Sequence, residues 1–247
     1  HLPPLEPDIL GEYFVLDVWK RMGGAANKAM LAAGAATGTI GAMITLLHMV
    51  QDFPDLFPHR NLCTVLTETS DPSVATVLAW IAPNYVSLAF SAGAGKWIAD
   101  YLDALAAAQT QFASPEIAVS DAQAAANIVI DAGQARDWPK VEAMLDRLDA
   151  LRQAFPKNAE IAVAAAQAAY NVIHAAMPYG EQTQVKAMLE RLDALRRAFP
   201  DTAEIAHEEA KAAVNIATAA GEAKDWTQVE AMLDRLNVLC RDFPDNA

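Results

Sequence analysis

Apolar residues recur along this chain at the spacing of one helix face, and that pattern itself recurs with a period of 44 residues. Val141, Met144, Leu145, Leu148, Leu151 and Phe155 fall at i, i+3, i+4, i+7 positions, which defines one buried stripe of an α-helix. Before it runs a helix from about Glu116 to Ala132 carrying Ala118, Ala122, Ala125 and Ala126, small enough to let a neighbouring backbone come close. Each copy is thus a hairpin of two helices, A and B. Gly133 or Gly221 is expected to make the turn between them. Asp137 or Asp225 is expected to cap helix B, with Trp138 or Trp226 packing the corner. Proline after Phe155, Phe199 and Phe243 restricts the preceding residue and ends helix B there.

Three crisp copies follow one another. The first opens at Ser114, the second at Ala159-Glu160-Ile161-Ala162 and the third at Ala203-Glu204-Ile205-Ala206. Glu116, Glu160 and Glu204 keep the period, as do Met144, Met188 and Met232. Copy two places Met177 and Gln182 where the others have Gly and Trp, and puts Pro178-Tyr179-Gly180 in its turn at unchanged length. A fixed period of roughly 20–50 residues marks a solenoid, whose units bury their apolar faces only by stacking. The fold class expected is therefore all-α.

Two worn copies precede the crisp ones. Residues 8–22 read as a helix, with Asp8 at its start, Gly23-Gly24 at its end and Phe14, Val15, Val18, Trp19 and Met22 on one stripe. The organisation expected is an N-terminal helix over 1–24 continuing from an upstream domain, two degenerate hairpins over 25–112, and three regular repeats over 113–247. A short helix, about His59 to Thr67, sits in an insertion or linker at 56–71. Pro83 falls inside a helix and is expected to kink it.

Composition narrows the function. With 53% hydrophobic residues the chain can bury a large core, and its formal charge of −13 repels phosphate backbones, so nucleic acid is excluded as a partner. Cys63 and Cys240 lie far apart, which gives neither a disulfide framework nor a metal signature and fits a reducing cytoplasm. The opening HLPPLEP lacks Met, and copy three is as regular as copy one; both suggest a piece of a longer protein. A last hairpin without a polar cap is expected to favour self-association.

The most informative polar residues are Asn84, Asn127, Asn171 and Asn215, which occupy one register position of helix A. Asn is a poor helix-interior residue, so its recurrence implies a repeated hydrogen-bond partner. That partner is either the adjacent helix of the stack or the backbone of a peptide lying along the concave face. The Arg147, Arg191 and Arg235 series, each beside an acid (Asp146, Glu190, Asp234), reads as a solvated face. Phe90 to Lys96 lacks the first glycine and the final Ser or Thr of a phosphate loop, and the scattered histidines give no metal pair. No cofactor is expected. Two uncharged stretches, 29–47 and 73–95, have the length of membrane helices, but their glycine breaks and hairpin register read as buried core, so no membrane is expected.

Hairpins at this spacing resemble the TPR-like α-solenoids, although the 34-residue TPR consensus is absent; the resemblance implies a right-handed α-α superhelix. Leu5-Glu6-Pro7-Asp8-Ile9-Leu10-Gly11-Glu12-Tyr13-Phe14-Val15 resembles the L-x-P-D-x-x-G-E-x-x-V segment that follows the nucleotide-binding and winged-helix regions of bacterial STAND NTPases. In that family C-terminal helical repeats act as sensors of a protein or peptide trigger, often in antiviral defence. The resemblance implies a non-enzymatic, cytoplasmic sensor domain; this chain carries no phosphate-binding motif of its own. A free-standing TPR-like scaffold is the alternative, and a membrane-anchored repeat protein the second.

Overall fold

The computed structural model describes residues 40–243 except 54, 58 and 92–95, together with positions 17, 21 and 33. The helix expected over 8–22, the family-like segment within it, the small-residue helix from Ala25 and most of the turn after Phe90 lie outside the described residues. Among the described residues the protein is all-helical: eleven α-helices, one 3₁₀ turn and no strand. Contacts divide the chain into two compact units that meet at Ala124 and Ala125.

The first unit contains α1 (Ile40–Asp52), α2 (His59–Glu68), α3 (Pro72–Trp80), α4 (Ala82–Ser91) and α5 (Lys96–Phe112). Asp71 caps α3 by accepting a hydrogen bond from the Ser73 N–H at 2.9 Å. The chain then bends by 45° between α3 and α4. Pro83 causes the bend, because it has no N–H for the carbonyl four residues back and its ring collides with that turn. No single helix among the described residues is long and apolar enough to cross a membrane; only the bent α3–α4 pair reaches that length and composition. Most of its apolar residues, from Val74 to Ala89, are buried.

The short helix expected at 56–71 is α2, and its burial is that of a core element. Leu62 and Leu66 are fully buried, and α2 packs along α5. An aromatic cluster fixes it there. His59 Nδ1 shares a 2.7 Å hydrogen bond with the Tyr85 hydroxyl, and its ring stacks on Trp97 with centroids 5.7 Å apart. Tyr85 meets Tyr101 at 4.4 Å, and the Tyr101 hydroxyl donates to the Leu78 carbonyl at 2.6 Å.

Burial, with Asp100 adding to it, pushes the neighbouring Cys63 thiol up from 9.0 to about 11, and burial raises the phenols of Tyr85 and Tyr101. All three groups are neutral in the folded chain. Their folded pKa values lie above the unfolded ones, so their contribution is complete below the unfolded values and fades as pH rises through the folded ones. The melting temperature of the first unit should therefore fall as pH rises from 9.0 toward 11. Circular-dichroism melts of wild type and Cys63→Ala measure this, and an equal alkaline loss in both would remove Cys63 as a cause. At neutral pH a thiol reagent should label exposed Cys240 and spare buried Cys63.

The second unit contains the rest of α6 (Pro115–Gln134), then α7 (Trp138–Ala154), α8 (Ala159–Ala176), a 3₁₀ turn (Met177–Tyr179), α9 (Gln182–Ala198), α10 (Ala203–Glu222) and α11 (Trp226–Asp242). Helix α8 packs on α7, α9 and α10, while α10 packs on α9 and α11. A given A helix thus touches its own B helix, the preceding B helix and the neighbouring A helix. On α7 the stripe buries Val141, Leu145, Leu148 and Leu151, whereas Met144 and Phe155 are half-buried.

The turns show why the period stays constant. Helix α6 runs through Gly133 and α10 through Gly221, so neither glycine makes the turn. The turn residue lies three positions later, in the left-handed region: Arg136 (φ 56°), Gly180 (φ 69°) and Lys224 (φ 61°). Around each, two backbone bonds close a Schellman motif. The Asp137 N–H reaches the Ala132 carbonyl at 2.8 Å and the Arg136 N–H reaches Gly133; Glu181 and Asp225 repeat the first, Gly180 and Lys224 the second. Gly133 serves packing instead, since a Cβ there would stand 3.1 Å from the Cβ of Ala175. Gly180 is the position where glycine matters for φ, and a Cβ there meets nothing within 4 Å. Gly180→Ala should therefore cost about 1 kcal/mol through backbone strain alone. Urea unfolding checks it, and an unchanged midpoint would show that the turn relaxes.

Asp137 and Asp225 cap helix B as expected, accepting from the Lys140 and Gln228 N–H groups at 3.3 and 3.1 Å. The corner tryptophans differ. Trp138 is half-buried, whereas Trp226 is 63% exposed and packs no corner. Both follow a cap that projects from the hairpin end, where only neighbouring side chains decide coverage.

Candidate partner-binding surface

Helix A buries its alanines and leaves one polar edge uncovered. Asn127, Asn171 and Asn215 sit on that edge and are half-buried; Asn84, in the first unit, is exposed on α4. Asn215 donates from Nδ2 to the Tyr170 hydroxyl of the adjacent α8 at 3.3 Å. Tyr170 also carries the Lys211 ammonium 4.1 Å above its ring and lies beside His174. An amide, a phenol, an imidazole and an ammonium group are thus gathered where α8 and α10 run together.

Next to them is a shallow cleft of about 260 Å³, lined by His174, Met177, Pro178, Asn215, Thr218 and Glu222, with Ala219 at its floor. Of the four sequence-marked asparagines, Asn215 lines it and Asn171 lies one helical turn before His174. The cleft offers donors and acceptors at peptide spacing over an apolar floor, which suits an extended backbone. Tyr170 and Lys211 were not legible from the 44-residue register, because neither recurs in the other copies.

The arginine series is not a solvated face. Arg191 is largely buried and grips Asp149 of the preceding copy, with Nη2 to Oδ1 at 2.6 Å and Nη1 to Oδ2 at 2.8 Å; Nη2 also lies 3.3 Å from the Leu145 carbonyl. Arg235 reaches the fully buried Glu209 at 2.6 Å, and Arg196 Nε meets the other oxygen of Glu209 at 2.9 Å. The acids next in sequence, Glu190 and Asp234, stay exposed. A helix turns about 100° per residue, so a neighbour in sequence points away while a residue one copy back faces the guanidinium. The readable signal was Asp149 and Asp193 recurring in step with the arginines.

Burial lowers the pKa of Arg152, with Asp149 opposing the shift. Glu208 is buried, and one of its oxygens lies 2.6 Å from the Lys211 ammonium; that atom lacks an angularly acceptable hydrogen bond, so the contact is an ion pair. Among the described residues no group of three or more His, Cys, Asp or Glu side chains converges to hold a metal ion. No family model, curated protein or solved structure matches this chain.

Proposed function

We propose that this chain is a non-enzymatic, protein- or peptide-binding solenoid of the TPR-like, right-handed superhelical kind, and that it serves as the sensor region of a cytoplasmic STAND-type NTPase. The observation that carries the binding role is the polar edge of helix A, where Asn171, Tyr170, His174, Lys211 and Asn215 gather beside a shallow cleft. Half-buried amides on a surface of alanines can hydrogen-bond a peptide backbone whatever its sequence. The STAND assignment is supported by the segment Leu5 to Val15 and by the helical repeats that follow it. The arginine braces hold adjacent copies in register, which lets a partner lying across several copies meet a preorganised surface.

The binding role is tested by panning a random peptide phage library on the purified chain and measuring the selected peptides by calorimetry. Asn171→Ala and Asn215→Ala should each weaken binding about threefold to tenfold, the worth of one hydrogen bond. Selected peptides that bind both variants as well as wild type would place recognition elsewhere. The STAND assignment is tested on the complete reading frame. It should encode a phosphate-binding loop upstream, and deleting residues 113–247 should change ATP hydrolysis severalfold. A frame without that loop leaves the scaffold reading in its place.

A further inference from the structure

The face that α10 covers in copy two is open in copy three. Ala162, Ala166, Leu192 and Leu195 are all essentially fully buried in copy two, on α8 and α9, the two helices against which α10 packs. One period later the equivalent residues are Ala206, Ala210, Leu236 and Leu239. With Cys240 and Phe243 they line an open apolar groove of about 210 Å³. Leu236 and Ala210 are only half-buried, and Leu233 at the border is 50% exposed. Its alanines leave room for an incoming backbone.

We propose that this groove binds a single amphipathic helix of a partner protein, with an alanine- and isoleucine-rich stripe like that of α10. The ground is continuity with an existing interface: the same register positions, in the same hairpin, already hold such a helix one copy earlier. One difference defines the partner further. In copy two Arg196 receives the buried Glu209 of the incoming helix at 2.9 Å, but copy three has Cys240 at that register. The incoming helix therefore carries a small residue where α10 carries Glu209, as α8 does with Ala165. Exposed Glu204, Glu230 and Asp234 border the region and favour basic residues on the helix flanks. This surface is distinct from the polar edge of helix A, and either can fail without the other.

The probes are two fluorescein-labelled peptides with the sequence of residues 203–222, one unaltered and one carrying Glu209→Ala, titrated against the 247-residue chain by fluorescence anisotropy. The Glu209→Ala peptide should bind at least about tenfold more tightly, because the unaltered one must bury an unpaired carboxylate. Cys240→Arg should reverse that preference. Alkylating exposed Cys240 should block binding without any need to refold a variant, and Ala210→Trp should do the same with an unchanged melting curve. No binding of either peptide at millimolar concentration would overturn the proposal. So would binding that survives both alkylation and Ala210→Trp. Sedimentation showing a dimer of this chain that alkylation dissolves would assign the groove to a second copy and overturn the partner-helix proposal.

Discussion

Glu209→Ala should lower the unfolding free energy by about 3 kcal/mol. Glu209 is 0% exposed and stands between two arginines, with Arg196 at 2.9 Å and Arg235 at 2.6 Å. Removing it leaves two guanidinium groups facing one another across helices that α10 packs against. Breaking a buried pair costs more than the pair itself contributes, because the remaining charge keeps its desolvation penalty. The arginines retain partial relief from Asp193 and Asp242, at 3.5 Å and 3.3 Å from Arg196, which keeps the effect at the lower end of the range. Changing all three at once, Glu209→Leu with Arg196→Met and Arg235→Met, should be close to neutral by the same reasoning. Urea denaturation of the four proteins that close the cycle reads the coupling. A loss below about 0.5 kcal/mol for Glu209→Ala would mean that the arginines simply turn out to water.

In the first unit the largest expected effect belongs to Tyr85→Ala, at about 4 kcal/mol. The ring is fully buried, 4.4 Å from Tyr101 and 6.2 Å from Phe57, so its removal opens a cavity among rigid neighbours. Its hydroxyl also satisfies His59 Nδ1 at 2.7 Å. Tyr85→Phe keeps the volume and removes only that bond, and should cost about 1–2 kcal/mol. The difference between the two variants separates packing from polarity. Equal losses in both would mean that the hydrogen bond, not the ring, anchors α2 to the helices beneath it.

The two effects share a cause that bears on function. In both, residues distant in sequence hold helices that have little reason to stay together by local preference. An alanine-rich helix such as α8 contributes small area per residue, so its position depends on the ion pairs and aromatic contacts at its edges. The polar edge around Asn171 and Asn215 keeps its geometry only while those contacts hold α8 against α10.

Much of the local structure was legible beforehand. Helix positions followed from apolar periodicity, and the ends of helix B followed from Pro156 and Pro200, with Phe155 and Phe199 adopting the non-helical ψ of 65° and 67° that precedes a proline. Asp137 and Asp225 were readable as caps, and the bend near Pro83 as a kink, since each depends on atoms a few residues apart. The asparagine register was visible too. That Asn215 would find Tyr170 was not, because the phenol occurs in one copy only.

What the chain alone determined is an all-helical polypeptide with a 44-residue period and the places where its helices start and stop, because propensity, capping and proline geometry act within a turn or two. The tertiary structure decided which arginine meets which acid, that α2 is core, that the left-handed turn falls on Arg136, Gly180 and Lys224, and which copy leaves its groove open. Those choices rest on pairs 26 to 45 residues apart, such as Arg235 with Glu209 and Asn215 with Tyr170, and such pairs exist only once one helix has packed on another.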